Sequence, residues 1–244
     1  MALGKEALAV GRKKGKDKEI RRYPATLFHE ISPFKMELRE EDLEGALGSA
    51  EKEVGPLRRV KLLLPENSFL INFVELPQVP DSTYERQKML HFYMSKRLHW
   101  EGDVAVTYHH LGEGKFLVAT MALSNLLRLK EFFEKRRVKL RSVKPASISA
   151  LNYFLGRGDV EAFSFVFPVD GFAVIMGGRG GRLEVYRRIR PPFEEKELLE
   201  ELELIDRFLQ VETDKFLCRD SLDLSGFQIL EEPCWKLPVL GEIE

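Results

Sequence analysis

Hydrophobic positions along the chain switch between two rhythms. In residues 40–54, Leu43, Ala46, Leu47, Ala50 and Val54 recur every three or four positions, the spacing of one helix face, and Gly55-Pro56 ends the run. Val60 to Leu64 is a compact apolar run closed by Pro65 and predicts a strand. From Phe69 to Leu76, Phe69, Ile71 and Phe73 alternate with Leu70, Asn72 and Val74. Both sets are largely apolar, so the strand should be buried on both faces. After the turn bracketed by Pro77 and Pro80, Ser82 with Glu85 three residues on is a capping-box start for a helix reaching about Leu98. Val104 to Leu111 and Lys115 to Met121 predict a hairpin around Gly112-Glu113-Gly114.

The rhythm turns helical again over 124–138, where Leu126, Leu127, Leu129, Phe132 and Phe133 supply the apolar side. Lys135, Arg136 and Arg137 close that helix and suit the negative end of its dipole. Leu140 to Lys144 predicts a strand and Ala146 to Leu155 a helix. Three strands follow, Ala162 to Phe167, Phe172 to Met176 and Leu183 to Ile189, with Gly177 to Gly181 as a turn. Glu194 to Leu209 predicts a helix, and Lys215 to Cys218 and Phe227 to Leu230 short strands. Near the start only Ala7 to Gly11 reads as a strand, followed by the charged stretch Arg12 to Lys18, a solvated hairpin tip. No internal repeat is visible.

Composition narrows the function classes. Apolar residues make up 44% of the 244, enough to bury a core. A net charge of -1 lacks the basic excess of a nucleic-acid binder, so no nucleic-acid partner is expected. No run approaches the ~18 apolar residues of a membrane-spanning helix. Met1 to Val10 is too short and polar for a leader, so a cytoplasmic chain with reduced Cys218 and Cys234 is expected. His109 and His110 are adjacent on a strand and point to opposite faces, while His91 and His99 lie two helical turns apart. Neither pair predicts a metal site, and no Cys-x-x-Cys or His-Glu-x-x-His spacing occurs. Residues 177–181 lack the spacing and lysine of a phosphate-binding loop. Nothing nominates a nucleophile with its base, so no catalytic residue, metal or cofactor is expected.

Three stretches carry a resemblance. Val60 to Pro80, with the amphipathic helix after it, resembles the strand, turn and strand by which PilM-type pilus-assembly proteins enter their extra subdomain. Phe116 to Ser147 is similar to the family's return to its main sheet, and Leu217 to Phe227 to its glycine-rich "L-S-G-G-G-A-x-L-P-G-L" segment. FtsA and the type II secretion L proteins are more distant branches of the same actin-like superfamily. The resemblance implies an α/β chain with a reduced actin-like (ribonuclease H-like) two-lobed fold and a small inserted α+β subdomain. Residues 1–65 and 145–155 would form the first lobe, 66–144 the insertion, and 156–244 a reduced second lobe. One helix would replace the subdomain the family inserts between Ile189 and Lys215.

Actin-fold ATPases hold phosphates and metal with two turns that pair an aspartate with glycine, and accommodate adenosine at a third, glycine-rich turn. Matched to the family, the first aspartate and glycine positions fall on Ala9 and Gly11, the second on Phe167 and Val169. Asp170-Gly171 lies a step beyond the second pair, and the third turn falls on Arg219, Asp220 and Ser221. A methyl group cannot organise magnesium, and side chains at the third turn occupy the nucleotide's space. The resemblance therefore implies a non-enzymatic scaffold without a cofactor. It would dock the cytoplasmic tail of an inner-membrane pilus or secretion protein, PilN-like, with an assembly ATPase as a further candidate partner. It would sit at the cytoplasmic face of the inner membrane, peripheral through its partners. The tail would bind between the first lobe and the graft. The alternative is a residual nucleotide-binding actin-like ATPase using Asp170.

Overall fold

The computed structural model describes residues 2–3, 7–14, 17–24, 28–32, 35–64, 66–98, 103–156, 160–169, 172–189, 195–218 and 228–230. The chain opens with an antiparallel meander of β1 (Ala2–Leu3), β2 (Ala7–Lys14) and β3 (Asp17–Pro24). A separate hairpin, β4 (Phe28–Ser32) and β5 (Lys35–Leu38), and helix α1 (Glu40–Val54) lead to β6 (Arg59–Leu64), which lies parallel to β1. After a 3₁₀ turn at Glu66–Ser68 come β7 (Leu70–Glu75), α2 (Thr83–Leu98), β8 (Val104–Gly112) and β9 (Lys115–Ala122). These three strands form their own antiparallel sheet, ordered β7-β9-β8. Helix α3 (Leu123–Lys135) returns the chain to β10 (Lys139–Pro145), parallel to β6.

Helix α4 (Ala146–Leu155) leads to a second meander of β11 (Ala162–Val169), β12 (Phe172–Arg179) and β13 (Arg182–Ile189). Helix α5 (Glu195–Leu209) then precedes β14 (Asp214–Cys218), parallel to β11, and β15 (Gln228–Leu230), parallel to β14. The large sheets are ordered β10-β6-β1-β2-β3 and β13-β12-β11-β14-β15. Each is a three-stranded meander with two parallel strands added beside its first strand. The chain thus repeats a topology that its sequence does not display.

Several expectations need correcting. The first strand is Ala2–Leu3, and the run Ala7 to Gly11 opens the second. The stretch 12–18 is not one long turn, because the β2–β3 ladder continues through it, pairing Lys13 with Lys18 and Lys14 with Asp17. The insertion does not extend to residue 144, since β10 completes the first sheet. Helix α3 also buries Leu129, Phe132 and Phe133 in the core shared with α1, so the grafted unit closes at about Ala122. Helix α3 stops at Lys135 rather than 138, because Arg137 turns to a left-handed φ of 58° and the Val138 N–H bonds back to Phe133 O. Gly177 and Gly178 belong to β12; the turn is only Gly180-Gly181, at φ 56° and 71°, values that suit glycine in a two-residue hairpin.

The packing follows the rhythms of the sequence. Leu43, Leu47, Ala50 and Val54 of α1 cover Val60, Leu62 and Leu64 of the first sheet beside Phe133. Burial of each large side chain contributes about 1.5–3 kcal/mol. Arg136 at the end of α3 clamps the two helices through Glu44 and, at 2.7 Å, Glu51 of α1. The grafted sheet uses both faces: Val74, Phe116 and Val118 meet Leu90 and Met94 of α2, while Ile71 and Met121 meet the first-lobe core. Helix α5 covers one face of the second sheet with Leu198, Leu202, Ile205 and Leu209. It packs against bare backbone there, because a Cβ on Gly177 would lie 2.5 Å from Ile205 Cγ2.

Candidate functional site

The other face of the second sheet meets the first lobe through α4. Phe163, Phe165 and Phe167 alternate along β11 and point the same way. Phe154 of α4 lies against Phe165 with ring centroids 5.3 Å apart, and against Phe216 of β14 at 4.4 Å. Ala9 of β2 and Leu63 of β6 join this cluster from the first sheet. Two positions matched to nucleotide turns, Ala9 and Phe167, therefore meet in one buried apolar cluster between the lobes.

Those assignments need relocation. Ala9 and Gly11 lie inside β2, opposite Arg22 and Ile20 of β3. The β1–β2 connection is Gly4-Lys5-Glu6, outside the described residues. Phe167 lies inside β11, paired with Val174, and Val169 is its last residue, paired with Phe172. The β11–β12 connection is therefore Asp170-Gly171, which also lies outside the described residues, as do Arg219, Asp220 and Ser221 after β14. By connection, the first turn offers no aspartate and the second offers Asp170.

A polar junction ties the first lobe and graft to the second lobe. Glu66, just beyond β6, is fully buried, and its Oε1 accepts the Ser147 N–H at the start of α4 at 2.6 Å. Its Oε2 has no hydrogen-bond partner among the described residues. Burial pushes the carboxyl up to about 7, against the pull of Ser147 hydrogen bonds and the positive charge of Arg188. Tyr186 of β13 packs against both the first-lobe core and the interlobe cluster. Burial, and then the Glu66 charge, raises its phenol well above the usual range. Arg188 of β13 donates to Phe69 O at 3.3 Å, binding the second sheet's edge to the entry of β7. Sequence reading missed Glu66, although a carboxylate just past the end of a parallel strand is a place where α/β folds hold function.

From this tether the two edge strands diverge and open a groove of about 1050 Å³. One wall is β7 and the β8–β9 turn, with Phe73, Val74, Leu111 and Lys115. The other is formed by Ala162, Arg179, Leu183, Glu184 and, from the end of α5, Phe208 and Val211. Arg179 is fixed by Glu184 at 2.9 Å and by Leu209 O at 3.3 Å. Glu75, Glu113, Glu161 and Arg182 add charge of both signs around the apolar walls. This groove lies between the graft and the second lobe, a different place from the one expected for the tail, between the first lobe and the graft. Among the described residues no three His, Cys, Asp or Glu side chains converge as a metal site, and no helix is long and apolar enough to cross a membrane.

Two five-stranded sheets of one topology, with helix α4 between them and a small sheet grafted on the first, define the actin-like class. No family model and no curated protein sequence matches the chain. Solved structures do. The chain is similar to the PilM–PilN type IV pilus biogenesis complex at a TM-score of 0.66, with 12% identity over 89% of this chain and 79% of that one. It is similar to the cytoplasmic domain of EpsL, an inner-membrane component of the type II secretion system of Vibrio cholerae, at 0.60, with 12% identity over 100% and 92%. A Bacteroides thetaiotaomicron protein with an actin-like ATPase fold and unknown function gives 0.55, with 12% identity over 92% and 81%. The fold is thus the actin-like one, in the form that PilM and EpsL share.

Proposed function

We propose that this chain is a docking scaffold of a type IV pilus or type II secretion-like machine, holding the cytoplasmic tail of an inner-membrane partner. The observation that carries this reading is the groove between β7 and β13. Both strands end their sheets, so their outer backbone groups can pair with an extended segment, and Phe73, Phe208 and Val211 offer apolar contact to its side chains. Similarity to PilM, solved in a complex with PilN, and to the cytoplasmic part of an inner-membrane secretion component supports it. In this reading the chain works at the cytoplasmic face of the inner membrane without hydrolysing nucleotide.

Fluorescence-labelled peptides from the cytoplasmic tails of membrane proteins encoded beside this chain test the proposal. One tail should bind, and Phe208→Arg, which replaces an exposed apolar groove side chain with a charge, should weaken it about tenfold while circular dichroism shows the fold unchanged. A complete set of neighbouring tails that fails to bind sinks the reading. Asp170 favours a second reading, a residual nucleotide binder, because it falls at the connection between the first two strands of the second sheet. Calorimetry with ATP and magnesium separates the two: heat of binding that Asp170→Asn abolishes would assign the chain to the second.

A further inference from the structure

The grafted helix α2 presents a face that no described element covers. Leu90 and Met94 seat it on the grafted sheet, together with hydrogen bonds from Gln87 to Val106 O and from His91 to Val104 O. Away from that seat Tyr84 is 67% exposed and Phe92 65%, with Met89 exposed beside them and Tyr93 exposed on the far flank. Each of the three rings has a cation four residues on. Lys88 lies 4.9 Å from the Tyr84 ring centroid, Lys96 5.7 Å from that of Phe92, and Arg97 5.9 Å from that of Tyr93. Helix α2 carries Arg86, Lys88, Lys96 and Arg97 against one acid, Glu85, in a chain whose net charge is -1. Among the described residues no ion pair involves Lys88, Lys96 or Arg97.

We infer that this face binds the surface of a membrane containing anionic lipids. The interleaving of rings and cations carries the inference. Protein interfaces gather their aromatic residues into a desolvated centre with charge at the rim. On α2 every exposed ring adjoins a cation, and Tyr84, Lys88, Phe92 and Lys96 alternate at four-residue steps along one stripe of a 16-residue helix about 24 Å long. A bilayer boundary accepts that pattern everywhere at once: rings enter at headgroup level while the lysines reach lipid phosphates. No ion pair among the described residues supplies a counter-anion to these cations. The acidic helix α5, with exposed Leu204 and Phe208, is the internal candidate for a second copy to offer. Four of its six acids already have cations: Glu200 pairs with Lys196, Glu201 with Arg187, Glu203 with Arg207 and Asp206 with Lys215. Lipid attachment through α2 goes beyond tail docking and uses none of the groove residues.

Co-sedimentation of the full chain with vesicles tests it. The chain should pellet with phosphatidylcholine–phosphatidylglycerol vesicles, stay in solution with phosphatidylcholine alone, and be released by salt. Lys88→Glu with Lys96→Glu should weaken binding by at least about thirtyfold, since each lysine lost near an anionic surface is worth about fivefold and the two new glutamates are repelled besides. Phe92→Ser, at an exposed ring, should weaken it by roughly tenfold. The control Lys130→Glu with Lys135→Glu changes net charge equally on exposed α3 and should bind as the unaltered chain does. Circular dichroism should show every variant folded. No difference between the two vesicle types, or equal loss in the α3 control, would overturn the inference. Concentration-dependent self-association that the α2 reversal removes would overturn it too, by giving the face to a second copy.

Discussion

The two large sheets share a strand order but are held in different ways. At the centre of the first, β1 is two residues long, and the sheet relies on what covers it: α1 and α3, locked together by Arg136. At the centre of the second, β11 is eight residues long, paired along its whole length with β12 and for four residues with β14. Its inner face carries three phenylalanines, while the first sheet gives Ala9 and Leu63, with Ile20 partly buried beside them, to the cluster between the lobes. Helix α4 follows the first sheet in the chain, yet Tyr153 and Phe154 place its aromatic end with the second. The connections differ as much. Residues 65–138 separate the fourth and fifth strands of the first sheet and contain the whole graft, whereas only 219–227 separate the same strands of the second. One topology can thus be completed by helices or by its own long strands, and the lobe that leans on helices is the one that tolerates an insertion.

The largest test of that contrast is Phe154→Ala. It removes a ring shared by the two lobes and should cost about 4 kcal/mol, the range for a buried phenylalanine. Phe133→Ala, confined to the first-lobe core, should cost a similar amount. Urea unfolding followed by circular dichroism should show one transition in both variants, displaced to lower denaturant, because the interlobe cluster couples the sheets. Two separated transitions in Phe133→Ala would mean that the second lobe stands alone.

Next in size is the pH dependence of the junction. The Glu66 carboxyl has an ordinary value of 4.5 and is raised to about 7 in the fold. The folded state therefore binds more protons than the unfolded chain between those values. Its contribution is fully present below about pH 4.5 and is lost as pH rises through about 7, amounting to about 3 kcal/mol. Glu66→Gln keeps an acceptor for the Ser147 N–H and carries no charge. It should flatten this part of the stability profile and leave the protein more stable than the unaltered chain at pH 8. Urea midpoints measured from pH 4.5 to 8 in both proteins decide it. Gly177→Ala follows, at about 2 kcal/mol of overpacking. Its new methyl meets Ile205 within the second lobe, and thermal unfolding should register the loss without any change in tail binding at the groove.

Elements with a clean period were legible in the sequence. Helix α1 occupies the residues its periodicity assigned, α4 the span expected between Pro145 and Gly156, and β7 buries side chains on both faces as its alternation required. Short or charged elements were not. Ala2–Leu3 is too brief to carry a pattern, and the β2–β3 ladder runs through Lys13, Lys14, Asp17 and Lys18, which read locally as a solvated turn. Missing β1 and β3 hid the repeat of the two sheets, and the positions matched to the first nucleotide turn fall inside β2. The groove was invisible for another reason: it joins residues 73–75, 111–115, 179–184 and 208–211, whose meeting depends on the whole topology. Glu66 gave no local signal beyond its position after Pro65, because its burial is produced by α4 and β13 arriving from far along the chain.

The smallest effect lies in the graft, which belongs to neither sheet's repeat. Ser82 accepts the Glu85 N–H at 3.3 Å, satisfying one of the free donors at the start of α2. Ser82→Ala should cost about 1 kcal/mol, the usual value of such a cap. Where that cost appears is more informative than its size. Helix α2 touches the rest of the molecule mainly through the grafted sheet, so its opening need not disturb either lobe. Hydrogen exchange should quicken by about fivefold, the equivalent of 1 kcal/mol, in the α2 amides and remain unchanged in β11 and β12. Uniform acceleration across α2 and β11 would show that the graft opens only with the whole chain. The first lobe would then depend on its insertion, and the tolerance inferred from its helices would be mistaken.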